Sequence, residues 1–162
     1  LNKLGLRVIT NNFGSFTKGE QRKSIGISSN DFKFKILPLI CYEIIYSGKL
    51  FTSQKFDYIV NVSEDGWFGN SIGREQHFSH SIFRSIESGK YILRSANNGI
   101  SAIINPIGKV EKYVKLETRG YIDFIETKTL KKTIFSQYGN KIFIFLILLY
   151  IFLIFSFNRI KK

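Results

Sequence analysis

Cys41 is the single cysteine among the 162 residues, and it follows an apolar run that begins at Ile36. The segment reads Ile-Leu-Pro-Leu-Ile-Cys-Tyr-Glu, which places a thiol at the end of a predicted strand and a carboxylate, Glu43, two positions later. A thiol in such a turn is a candidate nucleophile, provided that a base or a positive charge helps to form the thiolate. A small buried cysteine without chemistry is the alternative, and this tripeptide does not decide between them.

Further groups capable of chemistry follow in the segment 57–102. An Asp-Gly-Trp-Phe-Gly stretch ends at Gly69, and Trp67 and Phe68 within it would either border a ligand pocket or cap a sheet edge. We interpret His77 as a helix residue with a structural hydrogen bond, and Arg94 as a structural residue near the turn Asn97-Asn98-Gly99.

Hydrophobic periodicity predicts the elements that would position these residues. We predict strands at 32–40, 58–62, 91–95, 100–105, 109–114 and 121–125, and a helix at 71–88 with Phe78, Ile82 and Ile86 along one face. Residues 1–31 are interpreted as loop and partial strand. The order of these elements predicts a layered α/β sheet in a chain with room for one modest domain.

The C-terminal region carries the strongest physical signal, a run of seventeen uncharged and mostly apolar residues at 142–158. A helix of that length lies at the short end of the roughly 17–25 residues that span a bilayer, so we predict one transmembrane helix there. Arg159, Lys161 and Lys162 follow it, and the positive-inside rule predicts that this tail is cytoplasmic.

The formal net charge of +12 is compatible with anionic lipid headgroups or with a solvated basic surface. No zinc-finger spacing or RNA-binding aromatic motif is present, so we expect no nucleic-acid partner. The chain begins with Leu1 and contains no methionine, and we interpret it as a piece of a longer protein.

Taken in order, these motifs resemble the carbon–nitrogen hydrolase (nitrilase) superfamily and, within it, the apolipoprotein N-acyltransferase branch. The resemblance implies a partial α-β-β-α sandwich at 1–127. A basic linker at 128–141, the transmembrane helix at 142–158 and a cytoplasmic tail at 159–162 would follow, with the globular part on the periplasmic side of a bacterial inner membrane.

The same resemblance implies an acyl transfer in which a phospholipid is the acyl donor and a lipidated apolipoprotein the acceptor. Cys41 would be the nucleophile, Glu43 and Tyr42 further catalytic residues, and Trp67 and Phe68 substrate-binding residues. No cofactor and no metal is implied.

Two further residues of the family's catalytic set, a proton-accepting glutamate and an oxyanion-binding lysine, would lie upstream of Cys41. Nothing in residues 1–34 matches their motifs, and Glu64 and Gly66 stand where asparagine and alanine are usual. We therefore expect little catalysis by this chain alone, and an upstream half encoded separately is one explanation. A membrane-anchored non-catalytic remnant and a nitrilase-type amidase are the alternative interpretations.

Overall fold

The computed structural model describes residues 22–30, 32–48, 55–125, 130–131 and 133–160, with side chains up to residue 157. The strands are β1 (Ile25–Ser28), β2 (Lys33–Ile40), β3 (Tyr58–Glu64), β4 (Tyr91–Asn97), β5 (Ser101–Ile104) and β6 (Val110–Val114). The helices are α1 (Gly73–Ser88), α2 (Ile134–Tyr138) and α3 (Lys141–Ile160), with two short 3₁₀ helices at Cys41–Ile45 and Gly66–Phe68.

All six strands form one mixed sheet in the sequential order β1 to β6. β2, β3 and β4 pair in parallel at the centre, whereas β1, β5 and β6 pair antiparallel to their neighbours. The carboxyl ends of three parallel strands therefore meet at one edge of the sheet, which is where ligands of open α/β sheets usually bind. The segments that follow β2 and β3 are the two 3₁₀ helices.

Alternate residues of the central strands point to opposite faces of the sheet, and both faces bury apolar side chains. The face toward α1 holds the main core, which contains Leu37, Leu39, Ile44, Ile59, Ile92, Ala102 and Ile104. The opposite face holds a smaller cluster of Tyr58, Tyr91 and Ile103. Burial on both faces explains why β2 and β3 are apolar in continuous runs rather than in alternation.

Helix α1 forms where the sequence predicted a helix, but its buried face differs from the predicted one. The most buried side chains are His77, Ser81, Arg84, Ser85 and Ser88, while Ile86 is about half exposed. Phe78 and Ile82 pack only at the border of the core. Small serines let the helix backbone lie close to the sheet, so a polar stripe replaces the expected apolar one.

The strand predicted at 121–125 is not formed, and this prediction was wrong. The segment has no strand assignment, although exposed and half-buried residues alternate along it. Ile122 and Phe124 pack against the cluster of Tyr58, Tyr91 and Ile103. The alternation therefore arises because the segment lies across the face of the sheet, not because it pairs at an edge.

The described residues contain one sheet with α1 on one face, which confirms the predicted mixed α/β class. The second sheet of a complete α-β-β-α sandwich is not among them. Of residues 1–31, β1 supplies the expected partial strand, and residues 1–21 and 31 lie outside the described residues.

The C-terminal part contains α2 and α3. Thr133 caps α2 by accepting a hydrogen bond from Ser136 N, and its hydroxyl donates to the carbonyl of Glu87 at the end of α1. The predicted linker at 128–141 thus includes a short helix that is tied to the globular part.

A helix, α3, does form where a transmembrane segment was predicted, and its described apolar side chains are exposed. Within the described part of the chain, however, no helix is long and apolar enough to cross a membrane. The predicted membrane span at 142–158 is therefore not confirmed, and only the helix itself is established.

The core at the centre of the sheet predicts the response to truncation of an isoleucine. Ile59 is fully buried on β3, whereas Ile107 is 69% exposed in the turn before β6. We expect Ile59→Ala to lower the free energy of unfolding by about 2–5 kcal/mol, and Ile107→Ala to change it by less than about 0.5 kcal/mol. Urea unfolding of the two variants beside the parent chain measures the difference, and equal midpoints would contradict this placement of the core.

Candidate active site around Cys41

Cys41 is the first residue after β2, and its backbone adopts a left-handed conformation with φ of 46°. Residues with a side chain rarely adopt this conformation, which costs on the order of 1–3 kcal/mol and is found most often at functional sites. The side chain is partly exposed, and the sulfur is a free thiol. The chain thus holds its one thiol at the carboxyl edge of the sheet, in a turn that must be stabilised by other contacts.

Glu43 supplies part of that stabilisation. Its Oε2 accepts a hydrogen bond from the backbone N–H of Ile40 at 2.7 Å, and its Oε1 accepts one from Arg22 at 2.8 Å. Partial burial would raise the pKa of this carboxyl, but the hydrogen bonds from Ile40 and Arg22 together with the charge of Arg22 lower it. Glu43 is therefore an ionised group that closes the turn around Cys41, with both oxygens engaged.

Arg84 fixes the other end of the same turn. Its guanidinium donates to the carbonyl of Ile45 at 2.9 Å and to Glu87 at 2.7 Å. The 3₁₀ helix that carries Cys41 is thereby attached to α1, and α1 is packed on the sheet.

Asp65 lies directly after β3 and is fully buried. Its Oδ1 accepts hydrogen bonds from Ser63 at 2.7 Å and from His77 Nδ1 at 2.9 Å. Its Oδ2 accepts one from Arg94 at 2.7 Å. Gly99 makes room for this carboxylate, because a Cβ atom at that position would overlap it.

These contacts keep Asp65 ionised. Burial alone would raise the pKa of its carboxyl, but hydrogen bonds from His77 and Ser63 and the charge of Arg94 outweigh it and lower the pKa to about 2. Arg94 is the buried countercharge: burial lowers the pKa of its guanidinium, and the neighbouring Asp65 and Cys41 oppose that shift.

The cluster reaches Cys41 by two routes. Ser63 Oγ lies 3.6 Å from Cys41 Sγ. Asn61 Nδ2 donates to the carbonyls of Leu39 at 3.1 Å and Cys41 at 3.5 Å, and Arg94 donates to the Asn61 side-chain oxygen. Both the sulfur and the backbone of Cys41 are therefore connected to the buried Asp65–Arg94 pair.

His77 closes this cluster on the α1 side, which confirms the structural hydrogen bond predicted for it. An ionised carboxylate only accepts hydrogen bonds, so Nδ1 must carry the proton that is shared with Asp65. The buried Nε2 has no partner among the described residues. The ring is stacked against Tyr42 at 5.3 Å between centroids and contacts Phe68 at 5.5 Å.

The two predicted substrate-binding aromatics differ in their surroundings. Phe68 also stacks on Tyr42, at 6.2 Å, and thereby joins the aromatic cover of the site. Trp67 is 86% exposed. The structure thus brings Cys41, Tyr42, Glu43 and Phe68 into one region and leaves the Trp67 side chain on its surface.

Sequence reasoning did not identify Asn61, Ser63 and Asp65 as part of the site, and it took Arg94 as structural only. Their position was the available signal, since parallel strands that pair in register bring Ile40 beside Val62 and Asn61 beside Arg94. Glu64, which departs from the usual asparagine, accepts hydrogen bonds from Gly66 N and from the Asn97 and Asn98 side chains. It stabilises the loop instead of entering the cluster.

No group of three metal-binding side chains lies close enough together to hold an ion in the part of the chain that the structure describes. The arrangement offers a partly exposed thiol, a nearby buried positive charge and hydroxyl, and an aromatic surface beside them. These features suit a sulfur nucleophile beside an apolar substrate, but they are only part of what attack on a carbonyl group requires. Among the described contacts of Cys41, none supplies an oxyanion donor or a proton acceptor that is not already engaged in other hydrogen bonds.

Comparison with known proteins identifies the class. The Carbon-nitrogen hydrolase family model matches residues 9–124, so the chain belongs to the carbon–nitrogen hydrolase family. A crystal structure of an amidase from Nesterenkonia sp. overlaps 64% of this chain and 41% of its own, at 15% identity and a TM-score of 0.48.

Three curated relatives with higher identity to this chain than that amidase are named apolipoprotein N-acyltransferase. The protein of Rickettsia bellii is 43% identical over 90% of this chain and 29% of its own length. Those of Rickettsia prowazekii and Wigglesworthia glossinidia brevipalpis are 45% and 36% identical, over 67% and 86% of this chain and 22% and 27% of their own lengths. The chain thus spans about a quarter of the length of the curated relatives that it matches.

The ionised state of Asp65 predicts how stability depends on pH. A carboxyl whose pKa is lower in the folded than in the unfolded chain stabilises the fold above about pH 4, and this contribution is lost as the pH falls toward about 2. The lowered pKa corresponds to about 2 kcal/mol. Asp65→Asn should cost about 3 kcal/mol at pH 7, since it leaves Arg94 buried without a countercharge, and should flatten the acid limb of the stability curve.

Chemical unfolding at a series of pH values from 2 to 7 measures both effects. Asp123→Asn, at an exposed carboxyl after β6, is the matched control and should behave as the parent chain does. An Asp65→Asn variant with unchanged stability at pH 7 would show that the buried ion pair is not needed.

Proposed function

We propose that this chain is the nucleophile-bearing part of an acyltransferase that moves a fatty acyl chain from a phospholipid to the N-terminal amine of a lipidated cysteine in an apolipoprotein. The observation that carries the proposal is the position of Cys41 in a left-handed turn at the carboxyl edge of the sheet. Its sulfur contacts Ser63, which donates a hydrogen bond to Asp65 of the buried Asp65–Arg94 pair. The names of the curated relatives support the type of reaction, the transfer of an acyl group to a nitrogen atom of an apolipoprotein.

The proposed reaction has two half-steps. In the first, Cys41 sulfur attacks the carbonyl carbon of a phospholipid ester, the S–C bond forms, and the ester C–O bond breaks. The thiol proton ends on the lysophospholipid hydroxyl. In the second, the amine attacks the thioester carbonyl carbon, the C–N bond of an amide forms, and the S–C bond to Cys41 breaks. The proton that the amine loses returns to the sulfur.

The first half-step needs a proton carrier and an oxyanion donor. Glu43 and Asp65, the two carboxylates of the network described around Cys41, already accept hydrogen bonds on both oxygens. We therefore place the proton acceptor and the oxyanion lysine outside the described residues, in a segment or a separate chain equivalent to the remaining three-quarters of the relatives.

The other predicted residues receive roles consistent with their positions. Glu43 holds the Cys41 turn, and Tyr42 and Phe68 form the apolar surface beside it, which suits an acyl chain. Trp67, being exposed, is free to meet a bound lipid or a neighbouring segment.

The exposed apolar side chains of α3 support the proposal that the chain acts at a bacterial inner membrane, with the globular part on the periplasmic side. The terminal basic residues are the basis for this orientation. A reporter fused after Lys162 that reads out as periplasmic would contradict it.

The direct test is a thioester on Cys41. We suggest replacing the matching segment of the Rickettsia bellii relative by this chain, incubating the hybrid with phospholipid vesicles and measuring the mass of the Cys41 peptide. The expected result is the mass of one added acyl group, absent after Cys41→Ser because a hydroxyl is much harder to ionise than a thiol.

Release of the acyl group by hydroxylamine separates a thioester from adsorbed lipid, and Ser79→Ala is a control for general damage, since Ser79 only donates to a helix carbonyl. A hybrid that is folded and binds vesicles yet carries no acyl group on Cys41 would overturn the proposed function.

Glu43→Gln tests whether Glu43 affects the reaction at Cys41 separately from the stability of the fold. Glutamine retains an oxygen for the N–H of Ile40 and loses the ion pair with Arg22, which is partly exposed and contributes about 1 kcal/mol or less. We expect thioester formation by the hybrid to fall several-fold, because the Cys41 turn loses its ion pair with Arg22, while the unfolding free energy changes by at most about 1 kcal/mol. Equal acylation rates in the two proteins would show that the charge of Glu43 is dispensable.

A further inference from the structure

The hydroxyl of Ser63 lies between two acceptors. Asp65 Oδ1 is 2.7 Å from Ser63 Oγ, and Cys41 Sγ is 3.6 Å from the same oxygen. A serine hydroxyl has one proton and can donate to one of these groups at a time, while its lone pairs can accept from the other. In the thiol form, S–H of Cys41 can donate to Ser63, whose own proton points to Asp65.

We infer that Ser63 is the positioning residue of Cys41, a hydroxyl that turns from Asp65 to the sulfur when Cys41 loses its proton. This inference rests on the proposed function only in the use it gives to the thiolate. The contact itself belongs to this chain, and its effect can be measured without any acyl substrate.

Asp65 can lose the hydrogen bond from Ser63 because two other groups still donate to its carboxylate. His77 still donates to Oδ1 and Arg94 to Oδ2, so the carboxylate stays paired when the serine turns away. A carboxylate with a single donor could not release it without a large penalty, since an unpaired buried charge is costly. The third hydrogen bond of Asp65 is therefore the one available for the sulfur.

The rest of the cluster holds the backbone of Cys41. Arg94 donates to Asn61, and Asn61 donates to the carbonyl of Cys41. The side chains of Asn61, Ser63 and Arg94 lie on the α1 face of the sheet, because they alternate with residues of the opposite face along β3 and β4. The thiol is thus held by its backbone on one side and by a rotatable donor on the other.

Charged groups face this position from several elements. Arg94 on β4 is the positive group whose charge acts on Cys41, while Asp65 after β3 is the negative one beside Ser63. His77 on α1 donates to Asp65, and the Arg22–Glu43 ion pair lies at the turn that carries Cys41. Substitution of Ser63 leaves all of these groups in place, so a change in the sulfur's behaviour can be assigned to the hydroxyl.

The experiment uses the fact that Cys41 is the single cysteine of the chain. Iodoacetamide modifies a thiolate by forming an S–C bond with loss of iodide, after the thiol proton has passed to solvent. Its second-order rate, followed by mass spectrometry from pH 5 to pH 10, therefore reports on Cys41 alone. The whole chain is used for this measurement, and near-UV circular dichroism confirms that each variant is folded.

We expect Ser63→Ala to react about tenfold more slowly at pH 7, with its pH profile displaced to higher pH, because one hydrogen bond to the charged sulfur is lost. Ser63→Thr retains the hydroxyl and should restore the parent profile. Ser79→Ala, which removes a hydroxyl from the middle of α1, is the matched control and should leave the profile unchanged.

If Ser63→Ala does not fold, Ser63→Val compared with Ser63→Thr gives the same test at nearly constant volume. Identical profiles for the variants with and without the hydroxyl would overturn the inference, as would a profile shifted equally by Ser79→Ala. A shifted Ser63→Ala profile combined with no acylation of the hybrid would support the positioning role and reject the acyltransferase, so the two failures are distinguishable.

Discussion

The structure of the site depends on one buried carboxylate. Asp65 is fully enclosed and ionised, and this is tolerated only because Ser63, His77 and Arg94 each donate a hydrogen bond to it. Each donor comes from a different element, β3, α1 and β4, and the hydrogen bond from His77 ties the helix to the sheet at this point. A buried pair of this kind adds little net stability, but removal of one partner is costly. Its main effect is to specify one arrangement of the residues around Cys41.

The left-handed turn at Cys41 is the second constraint, and side chains of the turn itself, of α1 and of β3 hold it. Glu43 binds the N–H of Ile40, Arg84 binds the carbonyl of Ile45, and Asn61 binds the carbonyl of Cys41. Their hydrogen bonds offset the conformational cost of the left-handed residue. The strained cysteine and the buried ion pair are therefore parts of one network, in which β2, β3, β4 and α1 each contribute contacts.

Much of the fold was predictable because β2, β3 and β4 carry apolar runs bounded by polar loops, and periodicity detects those directly. The strand predicted at 121–125 was wrong, since apolar and polar residues alternate in the same way whether a segment pairs at the edge of a sheet or lies across its face. The face of α1 was missed for a related reason: Ser81 and Ser85 are buried for their size, which hydrophobicity does not report. Asp65 could be placed in the site only through the register of parallel strands, which is a property of the assembled sheet.

Asp65 is ionised in the folded chain, and the titration of that one carboxyl tests this central claim most directly. Carbon-13 nuclear magnetic resonance of the Asp65 side chain, assigned by comparison with Asp65→Asn, follows its protonation as the pH is lowered. With a pKa of about 2, this carboxyl should be only about one tenth protonated at pH 3, so its signal should change little between pH 7 and pH 3 and have its midpoint at about pH 2. A midpoint at or above the ordinary value for aspartate, near pH 4, would contradict it.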